Sequence, residues 1–155
     1  MTLSLVPIDV ARFPEWQERC RAEYAADLVE TGESPEAAQR HADASFVGAF
    51  PSGVPTADNA VFDVVAEGLG VVGYVWVGSD VSEDPSAWWV WDVAIDSEHR
   101  GRGWGRSAME LAEQYAREQG AQTLGLSVFG FNVAARRLYE SLGYETTSVK
   151  MRKTL

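Results

Sequence analysis

The chain is poor in the residues that would staple or metallate it. One cysteine, Cys20, stands among 155 residues, which excludes an internal disulfide framework. Two histidines and that cysteine, widely separated, do not form a metal-ligand set, so no metal is expected. No run approaches the roughly 18 apolar residues needed to span a membrane. The start, "MTLSLVPIDV", has neither a basic segment nor a long apolar stretch, so no signal peptide is read there. A cytoplasmic location is the simplest expectation. Positive charge is also scarce: 13 Lys+Arg face 23 Asp+Glu, for a net charge of −10. That balance argues against nucleic-acid binding, which needs a basic patch. It suits solubility first, and it is compatible with a cationic substrate drawn by the overall field. No internal repeat, low-complexity tract or linker divides the chain, so a single domain over 1–155 is expected.

What is present is a change of period. "LSLVPI" (3–8) reads as a first strand. Apolar residues at Phe13, Trp16, Cys20, Tyr24 and Leu28 form a helical stripe. Gly32, Ser34 and Pro35 end that helix and open another. After the turn-rich "PSGVPTADN" (51–59) the pattern alternates. "AVFDVVAEG" and "GVVGYVWVGS" predict a hairpin around Glu67–Gly70. "SAWWVWDVAI" (86–95), apolar on both faces, predicts a strand at the centre of a sheet. A third helix closes at Gly120, and "AQTLGLSVF" (121–129) is a fifth strand. "NVAARRLYESLG" is a helix capped by Asn132, and "YETTSVKMRK" (144–153) alternates as a last strand.

The segment between the central strand and the third helix, "DSEHRGRGWGRSAMELAEQYAREQG", spends Gly101, Gly103 and Gly105 at a helix mouth. Each glycine costs about 1 kcal/mol of helix propensity relative to alanine. Bare backbone N–H groups at a helix N-terminus suit an anion such as a phosphate. A Walker loop would need Lys where Arg106 stands and Gly where Arg100 stands. "GWGRSA" fits a dinucleotide fingerprint formally, but the next strand ends in Ser127, Val128 and Phe129 without the acidic residue a ribose needs.

Arg100-x-x-Gly103-x-Gly105 after a buried strand, followed by "FNVAARRLYESLGY", resembles the GNAT superfamily of coenzyme-A-dependent N-acetyltransferases. The resemblance covers about Phe62 to Lys153. It implies an α/β GNAT fold: a twisted, mixed sheet of six or seven strands splayed in the middle, with about four helices. It implies acetyl-CoA as co-substrate, with the pyrophosphate cradled by Arg100, Gly101, Arg102, Gly103, Trp104, Gly105 and Arg106. Val93, Ala94 and Ile95 would offer main-chain groups to the pantetheine, and Asn132 would bind the cofactor. Tyr139 would be the general acid. Seven residues separate Asn132 from Tyr139, nearly two turns, so both share one helix face.

The general base is less legible. Asp92 is the only carboxylate within the central apolar strand, where it is either a base or an anchor at a strand bulge. Glu23 and Glu67 are further candidates. Residues 1–59 would form the variable acceptor side and residues 60–155 the acetyl-CoA-binding core. Tyr24, His41 and Phe46 are candidate acceptor-side residues, although Tyr24 also belongs to a core stripe. Trp88, Trp89 and Trp91 read as core. The expected partner is a small-molecule or peptide amine, with no nucleic acid or membrane, and a homodimer is left open. Two other readings stand beside it: an acyl-CoA-binding module without turnover, and a transferase of a longer acyl group.

Overall fold

Alternation and helical spacing resolve into three layers in the computed structural model, which describes residues 2–155. The strands are β1 (Leu3–Pro7), β2 (Asn59–Ala66), β3 (Gly70–Ser79), β4 (Ala87–Ile95) and β5 (Thr123–Leu126). They form one sheet in the order β1-β2-β3-β4-β5, antiparallel up to β4 and parallel between β4 and β5. The helices are α1 (Phe13–Glu30), α2 (Pro35–Ala49), α3 (Trp104–Glu118) and α4 (Val133–Ser141).

The period of two decides which layer each side chain joins. Val61, Tyr74 and Trp76 face α1 and α2, where they meet Phe13, Trp16, Cys20, Phe46 and Phe50. This is an aromatic core: Phe50 and Phe46 lie 4.9 and 5.2 Å from the Trp76 ring, centre to centre. The alternate residues Phe62, Val64, Val75, Val77 and Val90 face α3, packing on Trp104, Ala108, Met109, Ala112 and Ala116. β3, not β4, is the middle strand. β4 is next to the edge strand β5, and its apolar character reflects helices on both sides of it.

Local chemistry sets the helix starts. Pro14 lies in the first turn of α1, and the Ser34 hydroxyl accepts from the N–H of Ala37 at 3.2 Å with Pro35 directly behind it. Ion pairs join the layers. Arg12 meets the buried Asp63 of β2 at 2.6 Å.

Five strands are present among the described residues, not the six or seven expected. The difference lies in Tyr144–Lys153, which alternates as a strand should yet pairs with nothing and is exposed from Glu145 to Leu155. Alternation marks a segment able to pair, but a ladder needs a partner edge at hydrogen-bonding distance. β5 is also shorter than the alternation predicts.

The reason lies in the register. β4 and β5 pair from Ala87↔Thr123 to Val90↔Leu126, and there the ladder stops. β4 continues to Ile95 along β3, while Ser127–Phe129 leave the sheet. The sheet is therefore splayed between its fourth and fifth strands. A bulge marks the same point: Val77 faces Val90 but Trp76 faces Asp92, so Trp91 is the extra residue.

Candidate active site

The bulge brings Trp91 and Asp92 to the first positions of β4 that β5 no longer covers. Trp91 stacks on Trp76 at 5.9 Å and is partly exposed. Asp92 is half-buried and accepts from the Tyr74 hydroxyl of β3 at 2.8 Å. Loss of water contact pushes its carboxyl above the usual carboxylate range. Hydrogen bonds from Tyr74, Cys20 and the Val93 backbone pull the other way, and the Glu23 charge pushes further up. The Tyr74 hydroxyl also lies 3.5 Å from Glu23 on α1. Burial and the Asp92 charge raise the Tyr74 phenol and the Cys20 thiol, so both stay protonated near neutral pH. Arg19 closes this group toward solvent. It bonds Glu23 at 3.2 Å and Asp96 at 3.0 Å, and lies over the Tyr74 ring.

Tyr139 is half-buried on α4, its ring edge-on to Tyr144 at 6.1 Å. Burial raises its phenol first, and the negative charge of Asp92 raises it further. The acid and base candidates thus lie within electrostatic reach of one another, one on β4 and one on the helix that follows β5.

The glycine loop divides its labour. Gly101 and Gly103 have φ of 79° and 78°, a left-handed conformation that side chains rarely adopt. Gly103 is the N-cap of α3 and offers no side-chain cap, so the first N–H groups of the helix are available to a ligand. Gly105 has an ordinary φ. A Cβ there would come within 3.4 Å of Leu138 on α4, so this glycine also serves close helix packing. The arginines are partly engaged. Arg100 Nε donates to the Ile95 carbonyl at 3.0 Å, Arg102 lies over the Trp104 ring, and Arg106 bonds the Ser141 hydroxyl of α4. Asn132 caps α4 by accepting from the Ala135 N–H at 3.2 Å.

Other candidates fall elsewhere. Glu67 sits in the β2–β3 turn, where its N–H bonds Thr2. Phe46 is core, 2% exposed. Tyr24 packs on the α1–α2 cluster of Ala25, Leu28, Ala38 and Ala42, which Phe129 after β5 also meets, and it pairs edge-on with His41, itself beside Glu33. Trp88 is buried against α3, while Trp91 borders the splay. Tyr74 and Cys20 escaped the sequence reading: each looks like an ordinary apolar position, and only the β3–β4 register and the packing of α1 bring them to Asp92.

The sequence model of the Acetyltransferase (GNAT) family matches residues 11–144. The uncharacterised N-acetyltransferase YycN of Bacillus subtilis (strain 168) is 29% identical over the whole of both chains. Its crystal structure superposes with a TM-score of 0.90 over 99% of each chain. The [ribosomal protein bS18]-alanine N-acetyltransferase of Escherichia coli (strain K12) is 33% identical over 39% of this chain and 41% of its own. The aminoglycoside N-acetyltransferase AAC(6')-Iy, solved in complex with CoA, shares the fold at a TM-score of 0.62 and 12% identity, over 99% of this chain and 95% of its own. A splayed sheet with a glycine-opened helix beside it, matched along nearly its whole length in sequence and in shape, places the chain in the GNAT family of acetyltransferases, as an N-acetyltransferase.

Proposed function

We propose that residues 1–155 act as one domain that transfers the acetyl group of acetyl-CoA to a primary amine by direct attack. Asp92 is the general base and Tyr139 the general acid. The observation that carries this reading is the bulge at Trp91, which sets Asp92 2.8 Å from the Tyr74 hydroxyl just where β5 ceases to cover β4.

The chain fits its co-substrate where it lacks side chains. Gly101 and Gly103, with the uncapped start of α3, form a cradle suited to the pyrophosphate, together with Arg100, Arg102, Trp104, Gly105 and Arg106. Beyond Val90 the outer edge of β4 has no strand partner, leaving main-chain groups of Val93, Ala94 and Ile95 to pair with an extended arm. The Ile95 carbonyl already holds Arg100, which ties the cradle to that edge. Asn132, at the mouth of α4, can cap its helix and meet the ligand with its free amide N–H₂. Acetyl-CoA, when bound there, supplies an activated thioester.

The residues then divide the proton work. Asp92 takes a proton from the acceptor ammonium, and its raised pKa narrows the gap to the amine it must deprotonate. Tyr74 holds one Asp92 oxygen by its hydroxyl, which orients the carboxylate. As nitrogen bonds to the acetyl carbon and the carbon–sulfur bond breaks, Tyr139 gives its proton to the departing sulfur, and the second proton lost by the nitrogen restores the Tyr139 phenol. Residues 1–59 form the acceptor side, and Glu23 and Asp27 on α1 add negative charge suited to a cationic amine. A panel of polyamines, aminoglycosides, amino acids and peptide N-termini, read by release of CoA thiol, tests the reaction. Tight acetyl-CoA binding with no thiol release on any amine would overturn it.

A further inference from the structure

The bulge at Trp91 does more than place Asp92. In a regular strand, consecutive side chains leave on opposite faces of the sheet. Here Trp91 stacks on Trp76 and Asp92 bonds the Tyr74 hydroxyl, so both reach the face covered by α1 and α2. A flat indole therefore stands beside the proposed base, on residues whose Cα atoms are about 3.8 Å apart.

Trp91 belongs to an aromatic floor that crosses three strands. It stacks on Trp76 of β3 at 5.9 Å and 30°, and it lies 6.1 Å from Trp89 on β4. Trp89 in turn lies across its partner Gly125 on β5, where an added Cβ would run into the ring. The Trp91 N–H donates to the Ser79 carbonyl at 3.3 Å, which satisfies its polar edge and fixes its orientation. The other rim of the splay carries rings too. Phe129 packs on the α1–α2 cluster, and Phe131 stacks on Phe129 at 5.4 Å and 7°. Of the six Trp, five Tyr and six Phe residues, only Trp91 (36%) and Phe131 (52%) are exposed. One stands on each rim of the splay, and both lie toward α1 and α2. Rings held in fixed positions yet left in water forfeit the burial that the others gain, and such rings mark binding surfaces.

Charge sets the other half of the ligand. Asp92, Glu23 and Asp27 make this side negative. Burial, then the neighbouring Glu23 and Glu30, raise the Asp27 carboxyl above its ordinary range. The arginines of α1 are already taken, Arg19 by Glu23 and Asp96 and Arg21 by Asp43. A carboxylate beside the acceptor's amine would thus meet other carboxylates rather than a free cation.

We propose that the acceptor is a small arylalkylamine. Its primary ammonium lies at Asp92 and its flat ring on Trp91, bordered by Phe131. A spacer of about two or three carbons matches the adjacent positions of base and platform. No carboxylate stands next to the amine. Trp91 and Phe131 are then the residues that set acceptor specificity. This assignment rests on Asp92 as the base and names the substrate class of that site.

Calorimetry on the full chain saturated with CoA reads amine binding without any chemistry. Phenethylamine should bind about 2- to 10-fold tighter than 2-cyclohexylethylamine, which keeps the carbon skeleton but lacks a flat π face. Phenylalanine, which adds a carboxylate, should bind more weakly than either. Trp91→Ala should cost phenethylamine about 10-fold or more in affinity, Trp91→Phe should recover most of it, and Phe131→Ser, at an exposed position, should cost less than Trp91→Ala. In thiol-release assays with acetyl-CoA, Trp91→Ala should raise the KM for phenethylamine more than it lowers kcat. Phenylalanine binding as well as phenethylamine overturns the proposal. So does a phenethylamine affinity that Trp91→Ala and Phe131→Ser both leave unchanged. Ring-dependent binding with no thiol release would sink the transfer reading and leave the amine site standing. Thiol release from amines indifferent to Trp91 and Phe131 would do the reverse.

Discussion

Tyr74 and Asp92 are diagonal neighbours across β3 and β4, on the face covered by α1, and a 2.8 Å hydrogen bond joins them. The bulge at Trp91 makes the pairing geometrically available, because it carries Asp92 to the position opposite Trp76, two residues along β3 from Tyr74. A carboxylate in such a place can be an anchor or a base, and the two roles separate by experiment.

For Asp92→Asn, turnover should fall sharply and the acidic limb of the pH–rate profile should vanish. The pKa of Asp92 is raised on folding, so the folded state binds the proton more tightly than the unfolded chain does. Stability from this group is therefore present at low pH and declines as pH rises from the unfolded pKa to the folded one. Asn keeps an acceptor for Tyr74 and removes the charged form, so its melting temperature at neutral pH should match or exceed the wild type. A large loss of stability, with full activity per folded molecule, would make Asp92 an anchor.

Tyr74→Phe removes a bond that pulls the Asp92 pKa down. The acidic limb should move to higher pH while the maximal rate is largely kept. Thermal denaturation should show a loss of about 1.5–3 kcal/mol, the usual range for a hydrogen bond to a charged group. An unmoved limb would mean that Tyr74 does not tune the base.

The cradle glycines should respond differently. Gly103→Val forces a β-branched residue into a left-handed φ of 78° at the helix mouth and should abolish acetyl-CoA affinity by calorimetry. Gly105→Ala meets Leu138 at 3.4 Å, a contact at the edge of ordinary packing, and should lose little. Gly105→Val should press α3 against α4 and lower the melting temperature. Equal affinity in wild type and Gly103→Val would remove this loop from the binding site.

Tyr139→Phe keeps the ring against Tyr144 and deletes its only transferable proton. General acid catalysis is worth about 10²–10⁴-fold, so kcat should fall by that order where the chemical step limits the rate. Acetyl-CoA affinity should barely change, because the hydroxyl matters once negative charge develops on sulfur. Wild-type turnover would leave Tyr139 a packing residue.

Much of this was legible in the chain itself, because it rests on local rules. Spacing at Phe13, Trp16, Cys20 and Leu28 specifies α1, Ser34 and Pro35 open α2, and Asn132 caps α4, each through contacts within a few residues. The left-handed turns at Gly101 and Gly103 are likewise local, since only a residue without Cβ adopts them readily. What only the tertiary structure decided depends on pairs distant along the chain. Asp92 gains its character from Tyr74, 18 residues away in the chain, and from Cys20 and Glu23 on a helix that packs from across the sheet. Gly105 is explained by Leu138 as much as by any ligand. Tyr144–Lys153 has the alternation of a strand, but alternation describes one surface of a ladder. Whether a ladder forms is decided by the edge that meets it, and this fold leaves that edge free.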